Sequence, residues 1–355
     1  MTRVLVVNAG SSSLKLSLLG DEDETLAQRE LDASRPEVDP IQLRAALEQG
    51  LGEADVVGHR IVHGGERFRE PVLIDAAVEA ALRELAELAP LHQPKSLAAL
   101  DAVSEALADL PAVACFDTAF HATLPLAART YALPADWRER WGVRRYGFHG
   151  LSHAWVARRA SALLGRPARP LRIVSCHLGA GASLCAIADG RSVDTTMGFT
   201  PLEGLVMATR SGSVDPGLLL WLLERTGMAE RDLADALEHG SGLLGLAGTA
   251  DLREVLARAD QGDDDARLAL EVYVHRLCGG IGAMVAALGG LDVLAFTGGV
   301  GERSPAIRSR AVARLGFLGL EIDEQRNGDP RGDAEITADG ANARTIVIQA
   351  REDLE

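Results

Sequence analysis

Two segments of this 355-residue chain share one layout, which limits the folds open to it. The first, RVLVVNAGSSSLKLSLL from Arg3, has an apolar strand-like run, the polar Asn8, a turn rich in Gly and Ser, and a second apolar run. The second, LRIVSCHLGAGASLCAIADG from Leu171, repeats this order about 170 residues later, with His177 in the polar position. Because self-similarity at a fixed offset is typical of duplicated architectures, the layout favours two related domains. Two ordinary hairpins with glycine turns would explain it equally well.

The length is compatible with two domains, and 47% hydrophobic residues can form substantial cores. The net charge of −15 at pH 7 argues against nucleic acid or a membrane as the main partner, because both are anionic. An anionic ligand must therefore be met by local positive charge.

The cysteines indicate a cytoplasmic protein, because no C-x-x-C spacing occurs and reduced core thiols are typical of that compartment. They are Cys115, Cys176, Cys185 and Cys278. The N-terminal sequence lacks the pattern of a signal peptide. The apolar run LCGGIGAMVAALGGLDVLAFTGGVG from Leu277 is long enough for a membrane helix, but its glycine pairs and Asp292 divide it. We therefore predict a soluble chain with a helix, a turn, a strand and a Gly-rich loop there.

The glycine-rich turns match neither a Walker A motif nor G-x-G-x-x-G. Their backbone N–H groups can still form an anion-binding concavity. A third piece, AFTGGVGERSP, follows a strand-like run and can approach a nucleotide through backbone that lacks Cβ atoms. A helix start with Ser304 as cap and Pro305 as first residue would fit this piece as well.

Several charged residues lie in apolar or glycine-rich surroundings. Arg60 belongs to the strand-like DVVGHRIVHGG, and a buried arginine needs an anionic partner. That partner is either Asp117, at the end of the predicted strand AVACFDTAFH, or a substrate carboxylate. Arg210 lies in MATRSGSVDPG, a loop of the kind that carries function, although a solvated arginine fits the same pattern.

His149 and His153 in YGFHGLSH are four residues apart. Gly150 and the expected N-cap Ser152 separate them, so they do not predict a zinc pair. An imidazole in a phosphate site and a core histidine both remain open.

Eight motifs, in this order and across nearly the whole chain, resemble the acetate and propionate kinase family. They are VVNAGSSSLK, GHRIVHGGE, PLHQPKSL, FDTAFH, RRYGFHGLSH, HLGAGASL, TTMGFTPLEGLVMATRSGSVDPG and FTGGVGERSP. The resemblance implies a duplicated α/β fold of the actin/hexokinase/Hsp70-like (ribonuclease H-like) class, with a nucleotide cleft between two domains. It assigns residues 1–148 to the first domain and 149–355 to the second.

The resemblance also implies roles for residues of this chain. Asp117, His149 and Arg210 would be catalytic, and Asn8 and Glu352 would hold Mg²⁺. The acid would bind at Arg60, Val62, Leu91, Phe148 and Pro201. ATP or ADP would bind at Ser11, Ser12, Lys15, His177, Gly179, Gly181, Asp251, Arg253, Gly298, Gly299, Gly301 and Glu302.

The sequence departs from the family pattern in three segments. Ala180 replaces an asparagine in the second glycine turn, which leaves the phosphoryl donor open. Gln93 and Lys95 differ from the usual residues near the acid pocket. The family's carboxy-terminal Asn-Glu-Glu-Leu is replaced by REDLE here. The chain stops at Glu355, where the family continues as a helix, and a truncated chain would show this pattern.

The function that the resemblance implies is the Mg²⁺-dependent, reversible transfer of the γ-phosphoryl group of ATP to acetate, which gives acetyl phosphate and ADP. It also implies a cytoplasmic homodimer. Propionate is the nearest rival acid, because one methylene group contributes only about 1 to 3 kcal/mol of discrimination. Two further functions are compatible with this fold, a non-catalytic nucleotide switch and a sugar kinase. The arginine clamp and the small apolar pocket argue against both.

Overall fold

The computed structural model describes residues 2–9, 13–32, 45, 51–88, 93–167 and 170–355. Contacts between Cα atoms divide the chain into two compact units. The first comprises Met1–Ala122 with Arg351–Glu355, and the second comprises Thr123–Ala350. Each unit contains one six-stranded sheet.

The first sheet has the strand order β3-β2-β1-β4-β6-β5. Its strands are β1 (Val4–Ala9), β2 (Ser13–Leu19), β3 (Thr25–Asp32), β4 (Val56–Ile61), β5 (Val72–Leu73) and β6 (Ala112–Phe116). β1 is antiparallel to β2 and parallel to β4, and β4 is parallel to β6. The predicted first hairpin is thus confirmed, and the acidic segment after it contributes the edge strand β3.

The second sheet has the strand order β11-β12-β10-β7-β8-β9. Its strands are β7 (Arg172–Leu178), β8 (Ala182–Ala188), β9 (Arg191–Thr195), β10 (Val293–Thr297), β11 (Ala334–Glu335) and β12 (Arg344–Val347). Read from β9, the neighbouring strands pair antiparallel, antiparallel, parallel, parallel and antiparallel. The first sheet, read from β3, follows the same sequence of pairings. The shared topology confirms the duplicated architecture that the two hairpins predicted.

Helices cover the sheets. In the first unit, the helices whose bounds the structure describes are Ala76–Glu84 and Gln93–Ala106. Those of the second unit are Leu126–Arg129, Ala135–Trp141, Gly150–Leu163, Pro216–Thr226, Glu230–His239, Gly242–Ala247, Leu252–Asp260, Asp264–Leu288, Gly298–Arg303, Pro305–Arg314 and Glu324–Gly328. Short 3-10 turns lie at Asp21–Asp23, Leu85–Leu88, Ala119–Thr123, Gly316–Leu318 and Glu352–Leu354.

The apolar segment around residue 277 divides largely as predicted. Its first part belongs to the helix Asp264–Leu288, which by length and composition alone is long enough to cross a membrane. Tyr273, Leu277 and Ile281 are buried, and the helix packs on β8. β10 follows after a turn, but the expected Gly-rich loop is the short helix Gly298–Arg303. Where the backbone leaves a buried strand, its N–H and C=O groups need hydrogen-bond partners, and a helical turn supplies them.

The division between the units falls earlier than the boundary predicted after residue 148. Thr123 Oγ1 donates to the carbonyl oxygen of Ser192 at 2.8 Å, and Arg145 Nη1 donates to those of Thr196 and Met197 at 3.1 and 3.0 Å. These bonds attach residues 123–148 to the strand β9 and the loop after it. The boundary at 148 stays a prediction for where the two related halves of the sequence meet.

Candidate active site

A cluster of polar side chains surrounds Arg60 in the first unit. Arg60 Nε and Nη2 donate to Asp117 Oδ1 and Oδ2 at 3.0 and 2.6 Å. Arg60 Nη1 donates to Asn8 Oδ1 at 2.9 Å and lies 3.4 Å from Glu352 Oε2. The sequence left two candidates for the partner of Arg60, and in this structure it is Asp117.

Sheet topology explains this cluster. β1, β4 and β6 are parallel neighbours, so their carboxyl ends meet at one edge of the sheet, where ligands bind in α/β proteins. Asn8 lies near the end of β1, Arg60 near the end of β4, and Asp117 directly after β6. Glu352 begins a 3-10 turn that Arg351 anchors, through a 2.7 Å bond from Nη2 to Thr25 Oγ1.

The cluster keeps Arg60 charged. Burial lowers the pKa of Arg60, but the attraction of Asp117 and Glu352 and the hydrogen bonds to Asp117 together raise it above its usual value. The side chain of Asp117 is only 2% exposed and that of Arg60 16%. Breaking a buried pair of this kind is strongly destabilising, because either partner alone would be an uncompensated charge.

The oxygen atoms of this cluster fit a magnesium ion. Asn8 and Glu352 offer amide and carboxylate oxygens, the hard ligands that magnesium prefers, whereas both oxygens of Asp117 bond Arg60. In the described part of the chain no group of three His, Cys, Asp or Glu side chains is arranged to hold a metal. That is compatible with magnesium, which takes one or two carboxylates and completes its shell with phosphates and water.

Gln93 stood out in the sequence only as an unusual residue for its motif. It is fully buried, and it hydrogen-bonds both backbone groups of His63 at 3.2 Å, accepting at Oε1 from N–H and donating from Nε2 to the carbonyl oxygen. Thr118 Oγ1 accepts from the N–H of Gly64 at 3.0 Å. These bonds fix the chain just after β4, beside Val62. Burial lowers the pKa of His63 to about 4.

The residues predicted for the acid pocket are described in part. Val62 is buried in the first unit, and Phe148 and Pro201 are buried in the second. Leu91 lies outside the described residues, as do Ser11 and Ser12 of the first turn. Lys15 is exposed on β2, directly opposite Asn8 of β1.

A second cluster forms in the second unit, around the turn between β7 and β8. A Cβ atom on Gly181 would lie 3.4 Å from Cε1 and Nε2 of His149 and 3.5 Å from Nη1 of Arg210. The His149 and His177 rings stack with their centroids 4.2 Å apart. The structure thus brings together four of the residues predicted from the sequence, and a glycine leaves room for the imidazole and the guanidinium to approach the turn.

His149 reaches this position through an uncommon backbone conformation. The helix predicted to begin at Ser152 begins at Gly150, and His149 is its N-cap residue with φ of 54°. Left-handed backbone is uncommon outside glycine and often occurs at functional sites. The shift of two residues leaves Ser152 inside the helix, where its Oγ contacts His177 Nδ1 at 2.8 Å.

Arg210 is paired with a residue that the sequence analysis missed. Arg210 Nε lies 3.0 Å from Glu238 Oε2, and both side chains are largely buried, at 19% and 10% exposure. Nη1 contacts the Pro201 carbonyl oxygen at 3.5 Å and Met207 Sδ at 3.8 Å. Glu238 is one of several charged residues in the helix Glu230–His239, so no local signal marks it.

The glycine-rich segment after β10 is held by a buried arginine. Gly298 has φ of 77°, and a Cβ atom there would lie 2.8 Å from the Leu178 carbonyl oxygen, so glycine is required. Arg308 donates to the carbonyl oxygens of Gly301 and Glu302 at 2.8 and 2.7 Å. Burial lowers the pKa of Arg308 to about 10. Arg308 therefore holds the carboxyl end of the segment in place, where its positive charge also interacts favourably with the helix dipole.

Three other residues predicted for the nucleotide side have local partners. Glu302 Oε1 accepts from the N–H of Ala350 at 3.0 Å. Asp251 caps the helix Leu252–Asp260 and pairs with Arg253, and hydrogen bonds from Arg253 lower its pKa to about 2. Arg253 is 90% exposed, so this pair remains accessible to a ligand.

The duplicated sheets, each with a polar residue near the end of its first strand and an antiparallel second strand, define an α/β protein of the actin/hexokinase-like class. The model of the Acetokinase family matches residues 37–355, and this chain belongs to that family.

Named relatives cover most of the chain. The acetate kinase of Trichormus variabilis is 50% identical over 304 residues, which are 85% of this chain and 75% of that protein. The acetate kinase of Shouchella clausii is 41% identical across 100% of this chain and 97% of its own length.

Solved structures of acetate and propionate kinases have the same fold as this chain. The acetate kinase of Porphyromonas gingivalis superposes with a TM-score of 0.91 at 37% identity, over 99% of this chain and 97% of that one. A propionate kinase from Francisella tularensis has a TM-score of 0.92 at 34% identity, over 100% and 97%.

Proposed function

We propose that this protein is an acetate kinase, which reversibly transfers the γ-phosphoryl group of ATP to acetate and gives acetyl phosphate and ADP. The observation that carries the proposal is the guanidinium of Arg60, held by Asp117 and Asn8 at the carboxyl edge of the first sheet. Membership of the acetokinase family and the similarity to acetate kinases support it.

Arg60 binds the carboxylate of the acid. A guanidinium has five N–H donors, and its bonds to Asp117 and Asn8 use three of them. Of the other two, one is on Nη1, which also lies 3.4 Å from Glu352 Oε2, and one is on Nη2; a carboxylate, whose planar geometry matches the guanidinium, would accept from them. The apolar Val62, Leu91, Phe148 and Pro201 hold the methyl group.

In the transfer step, a carboxylate oxygen of acetate attacks the γ-phosphorus in line. The new phosphorus–oxygen bond forms as the bond to the bridging oxygen of ADP breaks, and ADP leaves with the electron pair. No general base is needed, because acetic acid is ionised at neutral pH. Asp117 therefore orients Arg60 rather than abstracting a proton.

Charge stabilisation is the main task of such a site, because phosphoryl transfer brings several negative charges together. His149 and Arg210 contact the transferring phosphoryl group. Lys15, Ser11, Ser12, His177 and the segments Gly179–Gly181, Asp251–Arg253 and Gly298–Glu302 bind the nucleotide. Mg²⁺, when bound, neutralises phosphate charge, and Asn8 and Glu352 would hold it.

Propionate kinase is the second candidate, favoured by the high similarity to the Francisella tularensis enzyme. A hydroxamate assay for acyl phosphate with ATP and Mg²⁺ separates the candidates by comparing acetate, propionate and butyrate. Pyrophosphate as a second donor tests the effect of Ala180. Highest turnover with acetate supports the proposal, whereas highest turnover with propionate favours the second candidate. Nucleotide binding without acyl phosphate from any acid would indicate a switch protein.

We also propose that the enzyme is a cytoplasmic homodimer. The four free cysteines fit a reducing compartment. The helix Pro216–Thr226 buries none of its residues, and it exposes Leu218, Leu220 and Trp221 at 45%, 61% and 54%. An apolar surface of this kind favours a protein interface. Light scattering should give a dimer mass for the wild type and a monomer mass for Trp221→Glu, with the Trp137→Glu variant as a control for loss of an exposed tryptophan.

A further inference from the structure

A chain of hydrogen bonds leads from the interior of the second unit to His149. His153 is fully buried, and its Nδ1 and Nε2 lie 2.8 Å from Ser175 Oγ and from Ser183 Oγ. Ser183 Oγ also lies 3.0 Å from His149 Nδ1. Both serines are fully buried. None of Ser175, His153 and Ser183 has a part in the proposed reaction.

This series of hydrogen bonds ends at Nδ1 of the His149 ring, and the side of the ring with Cε1 and Nε2 faces the glycine turn. Nδ1 faces Ser183, while Cε1 and Nε2 face Gly181, where Arg210 Nη1 also lies. The edge with Nε2 is therefore the one that meets a phosphoryl group at this turn.

The chemistry of a phosphoryl group determines which nitrogen must carry the proton. Phosphoryl oxygens only accept hydrogen bonds, so Nε2 of His149 must donate. In a neutral imidazole the other nitrogen then accepts, so His149 Nδ1 must accept from the hydroxyl of Ser183. Which nitrogen of a histidine is protonated is set by the bond that the other nitrogen makes.

The other hydrogen bonds of this buried series are compatible with Ser183 as the donor to His149. If Ser183 donates to His149, its oxygen can accept from Nε2–H of a neutral His153. Nδ1 of His153 then accepts from the hydroxyl of Ser175. Each of the four groups is satisfied, as buried polar groups generally are.

We propose that Ser175, His153 and Ser183 fix His149 in the tautomer with the proton on Nε2, so that it donates to the phosphoryl group. Ser183 and His153 are positioning residues that act through His149. The inference rests on the proposed function. Loss of one preorganised donor to a transition state costs about 10²- to 10³-fold in kcat.

The first test compares Ser183→Ala with Ser192→Ala. Ser192 is a buried serine of the same sheet, on the edge strand β9, and its Oγ contacts Cys185 Sγ at 3.3 Å. Ser183→Ala should lower kcat several-fold, on the order of the fraction of His149 that leaves the donating tautomer, and leave the KM for ATP within about 3-fold, because the donor acts in the transition state. Ser192→Ala should keep wild-type kcat. Wild-type kcat in a folded Ser183→Ala variant would overturn the proposal.

The second test replaces His153. Gln at position 153 can donate to Ser183 as Nε2–H does, whereas Phe cannot, so His153→Gln should retain much more of kcat than His153→Phe. Equal losses in two folded variants would contradict the proposal. If His153→Phe does not fold, Ser183→Ala and the spectroscopic test below still decide.

The third test is spectroscopic and does not depend on which acid is used. Two-bond ¹H–¹⁵N correlations on ¹⁵N-histidine-labelled wild type at pH 8, assigned with His149→Asn, should show His149 with its proton on Nε2. Ser183→Ala should give a mixture of tautomers. A proton on Nδ1 of wild-type His149 overturns the inference. Absence of acyl phosphate from any acid would instead refute the proposed function and leave this readout intact.

Discussion

Arg60 and Asp117 form a bidentate ion pair in which Nε donates to Oδ1 at 3.0 Å and Nη2 donates to Oδ2 at 2.6 Å. They come from neighbouring parallel strands, with Arg60 opposite Cys115 and Asp117 two residues further on. Asp117 thereby fixes the plane of the guanidinium that we propose as the acid clamp.

Asp117→Asn should destabilise the first unit and reduce activity. It leaves Arg60 without its carboxylate, and breaking a buried pair costs about 3 to 5 kcal/mol of unfolding free energy. Urea unfolding measures this loss. The matched control is Asp101→Asn, which removes a partner of Arg83 in an exposed pair (47% and 49%) and should cost less than about 1 kcal/mol. Similar losses in both variants would contradict a special role for the buried pair.

Arg60→Lys should raise the KM for acetate much more than the KM for ATP. An ammonium keeps the charge but cannot form the planar two-point contact with a carboxylate. We expect the KM for acetate to rise about 10-fold or more, which corresponds to about 1.4 kcal/mol of lost binding. Initial rates at varied acetate and ATP measure both constants. A larger effect on ATP would assign Arg60 to the nucleotide instead.

Arg210→Ala should lower kcat about 10³-fold, by analogy with arginine fingers in phosphoryl transfer. Glu238→Ala should lower it less, by about 10-fold, because Arg210 keeps its charge but loses the ion pair at Nε.

Steady-state kcat values of the two variants test this order. Glu230→Gln, an exposed change on the same helix, should leave kcat unaltered. A Glu238→Ala variant faster than the wild type would mean that this carboxylate instead weakens the positive charge at the site.

Acidification should destabilise the protein between pH 6.5 and about 4. Burial lowers the pKa of His59 from 6.5 to about 4, so in this window the unfolded chain binds a proton that the folded chain does not. Stability is fully present above pH 6.5 and falls as the pH drops, by about 1.4 kcal/mol per pH unit for each such proton. The slope of the unfolding free energy against pH should be smaller for His59→Leu. An unaltered slope would contradict this account.

Local patterns predicted a large part of this protein. The two hairpins, the strand with Arg60 and the strand that ends before Asp117 were all expected, because period and turn residues are local properties. The resemblance then gave the family. The helix start at Gly150 was missed because His149 adopts a left-handed conformation that no local signal announces.

The sequence alone determined which chemical groups this chain carries and the duplicated order of its strands, because both follow from local residue types and their repetition. The tertiary structure decided their partners. It paired Arg60 with Asp117, placed Glu352 beside Arg60 from a distance of almost 300 residues, and assigned Glu238 to Arg210 and Ser183 to His149. Such pairs form only when parallel strands and packed helices bring distant positions together, and the low dielectric of the interior then makes each contact selective.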